Sequence, residues 1–301
     1  GMNDLVFSLR NVGKSRPGAD GFRLHIDGLD VVRGSLQALV GPSGCGKSTA
    51  LDLLAGILRP DAEGSENAAR VERTVQTENS TLAERAEPGE APSGRERRFL
   101  FSPTPNAAND MLEKWRKKDL NSLARLRQRH LGYVQQTGGL LPFLTARDNI
   151  MLRCSSLGCV AERSQQIQGI VDGLGIGRLL KQYPATLSVG ERQRVAIAAA
   201  LAHAPAMVLA DEPTAALDPM HARNALRIFA NLAQMMNITV LMVTHSLEMA
   251  VEAGFSPIRV ALDQGGPGAI SRIDHRVEDS PAAHDFGQQA ERQGARQGVR
   301  A

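Results

Sequence analysis

Three observations predict an α/β fold built around a doubly wound parallel sheet. Short apolar runs alternate with stretches that are apolar at helical spacing. Two of the runs, AMVLADE (206–212) and ITVLMVTH (238–245), are continuously apolar. Strands covered on both faces of a parallel sheet read this way. A glycine-rich turn, GPSGCGKST (41–49), stands between an apolar run and a helical stretch.

The elements follow in chain order. DLVFSLRNV (4–12), FRLHIDGL (22–29) and SLQALV (35–40) are expected strands. A helix is expected from Lys47 to Leu58, ended by Arg59-Pro60. HLGYVQ (130–135) reads as a further strand, and Thr145 as a helix N-cap with Asp148 three residues on. Between the two long apolar runs, DPMHARNALRIFANLAQMM is helical in pattern. From about Glu66 to about Lys118 steady periodicity fails. Within that irregular insert, ENSTLAERAEPGEAPSGRERR (78–98) is polar and Pro/Gly-rich and is expected to be a mobile loop. FLF (99–101) can tuck back against the core, and 111–130 reads as one or two basic helices. The Gly/Gln/Arg-rich tail, 275–301, is expected to be disordered.

Composition narrows the function. The chain has 301 residues, 42% of them hydrophobic, enough for a sizeable core. A net charge of +3 is too small to argue for nucleic acid, and none is expected as a partner. Cys45, Cys154 and Cys159 lack zinc spacing and read as buried or partly buried thiols, in keeping with a reducing cytoplasm. No apolar stretch approaches the ~20 residues that cross a bilayer.

The turn at 41–49 satisfies G-x-x-x-x-G-K-[ST] after a strand and before a helix, the context this phosphate-binding pattern requires. Gly41, Gly44 and Gly46, with Pro42, Ser43 and Cys45 between them, turn backbone N–H groups inward around phosphate oxygens. Lys47 reaches the β- and γ-phosphates, Ser48 places a hydroxyl on Mg²⁺, and Thr49 adds a donor. A nucleoside triphosphate is the expected ligand. VLADEPT (208–214) puts Asp211 and Glu212 at the carboxyl end of a buried strand, where ligands of open α/β sheets bind. Asp211 suits Mg²⁺ held through water, and Glu212 suits polarising the attacking water. TVLMVTH ends a parallel strand with His245, within reach of the same phosphate.

In this order the motifs resemble the nucleotide-binding subunit of an ABC transporter. GPSGCGKST matches Walker A, YVQQ (133–136) the Q-loop with Gln136, LSVGE (187–191) the signature, VLADE Walker B, AALD (215–218) the D-loop and VTH the H-loop. The lipoprotein-releasing and macrolide-export ATPases look most similar. The resemblance implies a RecA-like P-loop NTPase core, an antiparallel β subdomain and a helical subdomain at about 137–190, in one ATPase domain spanning 2–262. It implies ATP with Mg²⁺ at Ser48, Gln136 and Asp211, and catalysis by Glu212, His245 and Gln136. It implies a head-to-tail dimer, with an identical or related ATPase subunit, in which Leu187, Ser188, Val189, Gly190 and Glu191 act on the partner subunit's ATP while Asp218 links the two sites. It also implies a separate transmembrane permease that holds the subunit at the cytoplasmic face of the cell membrane. Within this pattern Arg16 falls about where an adenine-stacking aromatic lies, with Phe22 nearby. Val189 stands where glycine is usual, Glu191 replaces the usual glutamine, and the helix after the signature is expected from about Glu191. A soluble, non-transport ABC ATPase acting on ribosomes or DNA is the alternative.

Overall fold

Two long strands with runs of consecutive buried residues open the computed structural model, which describes residues 4–16, 22–62, 96–263 and 270–277. β1 (Leu5–Arg16) and β2 (Phe22–Val32) pair antiparallel, from Leu5 opposite Val32 to Arg16 opposite Phe22. β4 (Arg98–Phe101) extends this sheet beyond β1, and β5 (Asn109–Asp110) pairs with β4. On the β2 side lie β11 (Ile270–His275) and then β10 (Ala261–Asp263).

The second sheet has five strands, all parallel, in the order β6 (Leu131–Val134), β7 (Met207–Asp211), β8 (Thr239–Thr244), β3 (Leu36–Val40), β9 (Ser256–Arg259). Its two faces serve two cores. Leu39, Leu209, Leu241 and Val243 pack with β1, β2 and α1 (Lys47–Leu54). Ala38, Val208, Ala210, Val240 and Met242 pack on the other side with the helices. The central strands β7 and β8 are covered on both faces, which is why they show no alternation, while the edge strand β9 is mostly exposed.

α2 (Met111–Arg116) and α3 (Leu120–His130) precede β6, and they resolve the basic stretch into two helices. Between Gln136 and the signature the chain forms α4 (Ala146–Leu157) and α5 (Val160–Leu174), followed by short 3-10 turns. Thr145 caps α4 by accepting the Asp148 N–H. α6 (Val189–Leu201), α7 (Pro219–Met235) and α8 (Leu247–Glu252) complete the order. Cys45 and Cys154 are buried free thiols and Cys159 is half-buried.

Four expectations change. The first helix ends at Leu54 rather than Leu58, because Gly56 at φ 66° closes it before Arg59-Pro60 is reached. The insert is regular within 96–118: Phe99 and Phe101 point to one side of β4 and pack on Phe7, the Phe7–Phe101 ring centroids being 4.6 Å apart. Residues 63–95, including most of the expected mobile loop, lie outside the described residues, as does the tail beyond Val277. β11 carries ordered chain past Leu262 and into the start of the expected tail, through its parallel pairing with β2. The helix after the signature starts at Val189, ahead of Glu191, for reasons given below.

Phe101 is 1% exposed. Phe101→Ala is expected to cost about 3–5 kcal/mol of unfolding free energy, read by urea denaturation, because it leaves a cavity against the Phe7 ring of β1.

Candidate functional site

Parallel register brings the site together. Val40 of β3 stands opposite Thr244 of β8, and Val243 of β8 opposite Asp211 of β7. The loops leaving these strands therefore emerge side by side at the carboxyl edge.

Residues 41–46 form the loop from β3 to α1. Gly44 (φ 78°) and Gly46 (φ 84°) take the left-handed backbone that glycine allows. Gly46 also caps α1 with no side-chain hydrogen bond to the helix, so its opening N–H groups remain available to an anion. A Cβ on Gly46 would meet the Phe22 ring at 2.2 Å. Lys47 is buried, and its Nζ donates to the carbonyls of Gly41 and Pro42, each at 2.7 Å, with Cys45 Sγ at 3.8 Å. This ammonium braces the loop from within. Pro42, Ser43 and Gly44 are exposed, and Thr49 is buried.

Ser48 Oγ donates to Asp211 Oδ1 at 3.1 Å. Burial raises the Asp211 pKa above the ordinary carboxylate range, Glu212 and Asp52 add repulsion, and Ser48 and Lys47 oppose the rise. Glu212 adopts φ 45°, uncommon for a side-chain-bearing residue and costing on the order of 1–3 kcal/mol. Its N–H donates to the Val243 carbonyl at 3.0 Å, and its own carbonyl accepts from Ala215 N–H. This bend delivers the carboxylate to His245 Nδ1, at 3.1 and 3.2 Å. His245 is exposed while the Glu212 side chain is largely covered.

Gln136 is exposed and shares a cleft of about 400 Å³ with Asp211, Asp52, Tyr133, Arg127 and Arg153. Tyr133 donates to Asp52 Oδ1 at 3.2 Å, and burial pushes its hydroxyl pKa up.

The signature lies elsewhere. Among the described residues no hydrogen bond joins 187–191 to the phosphate loop. Leu187 is buried, and Ser188 caps α6 by accepting the Glu191 N–H at 3.2 Å. Glu191 Oε2 accepts the Ser188 N–H at 2.9 Å in return. This reciprocal capping box is why the helix begins at Val189. Val189 is the first helical residue, with a 44% exposed side chain. Gly190 faces the D-loop, where a Cβ would sit 3.5 Å from Leu217. Asp218 caps α7 through the N–H groups of Met220 and His221 and also pairs with the His221 ring. These contacts, led by the His221 N–H, lower its pKa.

Two features escaped sequence reading. The capping box was present as S-x-x-E inside LSVGE, a pattern that marks helix starts. Arg178, whose Nη2 lies 3.0 Å from Glu191 Oε1, left no local signal.

A family model described as ABC transporter matches residues 24–215. The chain belongs to the ABC transporter family. The lipoprotein-releasing system ATP-binding protein LolD of Legionella pneumophila (strain Lens) is 31% identical over 83% of this chain and 92% of its own length. The macrolide export ATP-binding/permease protein MacB of Rhodopirellula baltica is 33% identical over 75% of this chain and 27% of its own length. The methionine import ATP-binding protein MetN 2 of Burkholderia mallei is 32% identical over 73% of this chain and 45% of its own length. Among solved structures, the dimeric structure of the bacterial ABC transporter cassette MJ0796 is 25% identical, with TM-score 0.60, over 84% of this chain and 93% of that one. The resemblance to lipoprotein-releasing and macrolide-export ATPases drawn from the motifs agrees with the names of these relatives.

The raised pKa of Asp211 has a consequence for stability. Between the unfolded and the higher folded pKa the native state holds more protons, so this group's contribution falls as pH rises through that window. At pH 7 the ionised carboxylate therefore opposes folding of the nucleotide-free chain. Asp211→Asn is expected to raise the melting temperature without nucleotide and to lose the extra stabilisation that Mg²⁺ with ATP gives the parent, both read by thermal scanning.

Proposed function

We propose that this chain is the ATP-hydrolysing subunit of an ABC transporter, working as a head-to-tail dimer beneath a separate transmembrane permease. The observation that carries the reading is the convergence of Ser48–Asp211 and Glu212–His245 at the ends of adjacent parallel strands. The named relatives divide between lipoprotein release, methionine import and macrolide export at similar identity. What they share is the motor, so the assignment is to the motor and leaves the cargo to the permease.

ATP suits the loop at 41–49 by its open glycine backbone, the uncapped start of α1 and the buried Lys47. Phe22, packed over Gly46, is the candidate platform for the adenine ring. Arg16 instead lies 3.9 Å from Asp52. The donor set also fits Mg²⁺, a hard cation taking oxygen ligands from one or two carboxylates, phosphates and water. Ser48 and Asp211 would hold it, with Gln136 approaching from the shared cleft. When bound, Mg²⁺ supplies charge neutralisation for the phosphates.

Glu212 accepts the proton side of the attacking water, and His245, on the next loop, holds that carboxylate in line. The signature of the second subunit closes over the γ-phosphate with Ser188 and the N–H groups of Val189 and Gly190. Asp218 and Leu217 tie this surface to the start of α7 and so link the two sites. Among the described residues no helix is long and apolar enough to cross a membrane, in keeping with attachment through a partner. We place the subunit at the cytoplasmic face.

Glu212→Gln tests the reading. It preserves shape and removes the base, so steady-state ATP turnover is expected to fall by about 100-fold or more. An ATP-dependent dimer should meanwhile accumulate in size-exclusion chromatography. Undiminished turnover would reject Glu212 as the base.

A further inference from the structure

The signature helix carries a carboxylate beside the place where a phosphate must arrive. Glu191 lies in the first turn of α6, and an anion there repels another anion. The structure commits both its oxygens. Oε2 accepts the Ser188 N–H at 2.9 Å, and Oε1 lies 3.0 Å from Arg178 Nη2. These contacts, led by the Ser188 N–H, hold its carboxyl below the ordinary range, so it stays ionised at neutral pH.

Arg178 reaches this point from the 3-10 turn Gly177–Leu179 that follows α5, across a separation of 13 residues. Its side chain is 77% exposed. A pair this exposed adds little to stability. Its geometry nevertheless does two local things. It cancels the Glu191 charge on the side away from the helix backbone. It also holds the Glu191 side chain in the rotamer that closes the capping box. With Ser188 N–H occupied by Glu191, the N–H groups of Val189 and Gly190 remain as the free main-chain donors at the helix start. The Val189 side chain is exposed, and Gly190 is backed by Leu217.

We propose that Arg178 is a positioning residue for ATP-driven closure: through Glu191 it neutralises and orients the start of α6 so that the Val189 and Gly190 N–H groups can receive the γ-phosphate held by the facing subunit. The proposal rests on the head-to-tail reading above. It also explains how the signature accommodates glutamate: the carboxylate serves as the capping-box acceptor, and the guanidinium removes its penalty toward phosphate.

The test measures the ATP concentration for half-maximal dimerisation in the full chain carrying Glu212→Gln, at low and high salt. Arg178→Ala is expected to raise it about tenfold at low salt and less at high salt, where the uncompensated carboxylate is screened. Arg178→Lys should retain most of the parental value. Adding Glu191→Gln to Arg178→Ala should restore dimerisation, because the amide oxygen still accepts the Ser188 N–H while the charge is gone. ATP binding to the monomer, which uses the loop at 41–49, should not change in any of these variants. If the double variant stays as impaired as Arg178→Ala, the arginine acts by packing and the proposal is wrong. It is equally wrong if Arg178→Ala matches the parent while Gly190→Glu abolishes dimerisation. If Gly190→Glu itself dimerises normally, the head-to-tail reading fails, and the proposal with it.

Discussion

Parallel pairing of β3, β8 and β7 is the constraint on which the rest depends. Each pairing holds one strand end beside the next, so the phosphate loop, the H-loop and the acidic pair share one edge. No pair in the site forms within a single helix or strand. Ser48 meets Asp211 across 163 positions of sequence, and Glu212 meets His245 across 33. The pairing persists because the apolar strands are packed on both faces, by β1, β2 and α1 on one side and by other helices on the other. A slip of one residue in β7 would turn Asp211 to the opposite face and bury a carboxylate in the wrong core.

The site satisfies its charged groups locally. Lys47 is satisfied by the carbonyls of its own loop, Asp211 by the Ser48 hydroxyl, and Glu212 by His245. In the proposed function ATP and Mg²⁺ would take over Lys47 and the Ser48–Asp211 pair, while the Glu212–His245 contact would stay. Glu212 is the exception in its backbone, which sits at φ 45° whatever its carboxylate does. That bend belongs to a strand end whose N–H is anchored on Val243, and the rigid sheet sustains it. The signature surface is built differently. It rests on a helix start whose side-chain acceptors are already used in capping, leaving the Ser188 hydroxyl and the first main-chain N–H groups as donors.

Much of this was legible in the sequence, for physical reasons. β7 and β8 announced themselves because burial on two faces excludes nearly all polar residues, whereas β9, mostly exposed at the sheet edge, gave no such signal. The loop at 41–49 was legible because wrapping a phosphate demands glycine, lysine and a hydroxyl at fixed spacing. Asp211, Glu212 and His245 were legible as strand-terminal polar residues following apolar runs. The end of α1 was misread because Arg59-Pro60 is the louder stop signal, while Gly56 acts first. β4 was hidden by its polar surroundings, although Phe99 and Phe101 alternate as a strand should. β11 was missed because its pairing with β2 is parallel and joins distant parts of the chain. Arg178 could not be read at all, since its meeting with Glu191 exists only once α5 and α6 are folded together.

In the proposed function a complete site is shared between two copies of this chain. Mixing two crippled subunits tests it most directly. Lys47→Ala spoils the phosphate loop, and Gly190→Glu spoils the signature. Neither subunit alone should trap ATP in a dimer. In a mixed dimer the intact loop of one copy faces the intact signature of the other. Labelled ATP is expected in the dimer fraction of the mixture, at about one nucleotide per mixed dimer. Retention by Gly190→Glu alone, or none in the mixture, would contradict a site divided between subunits.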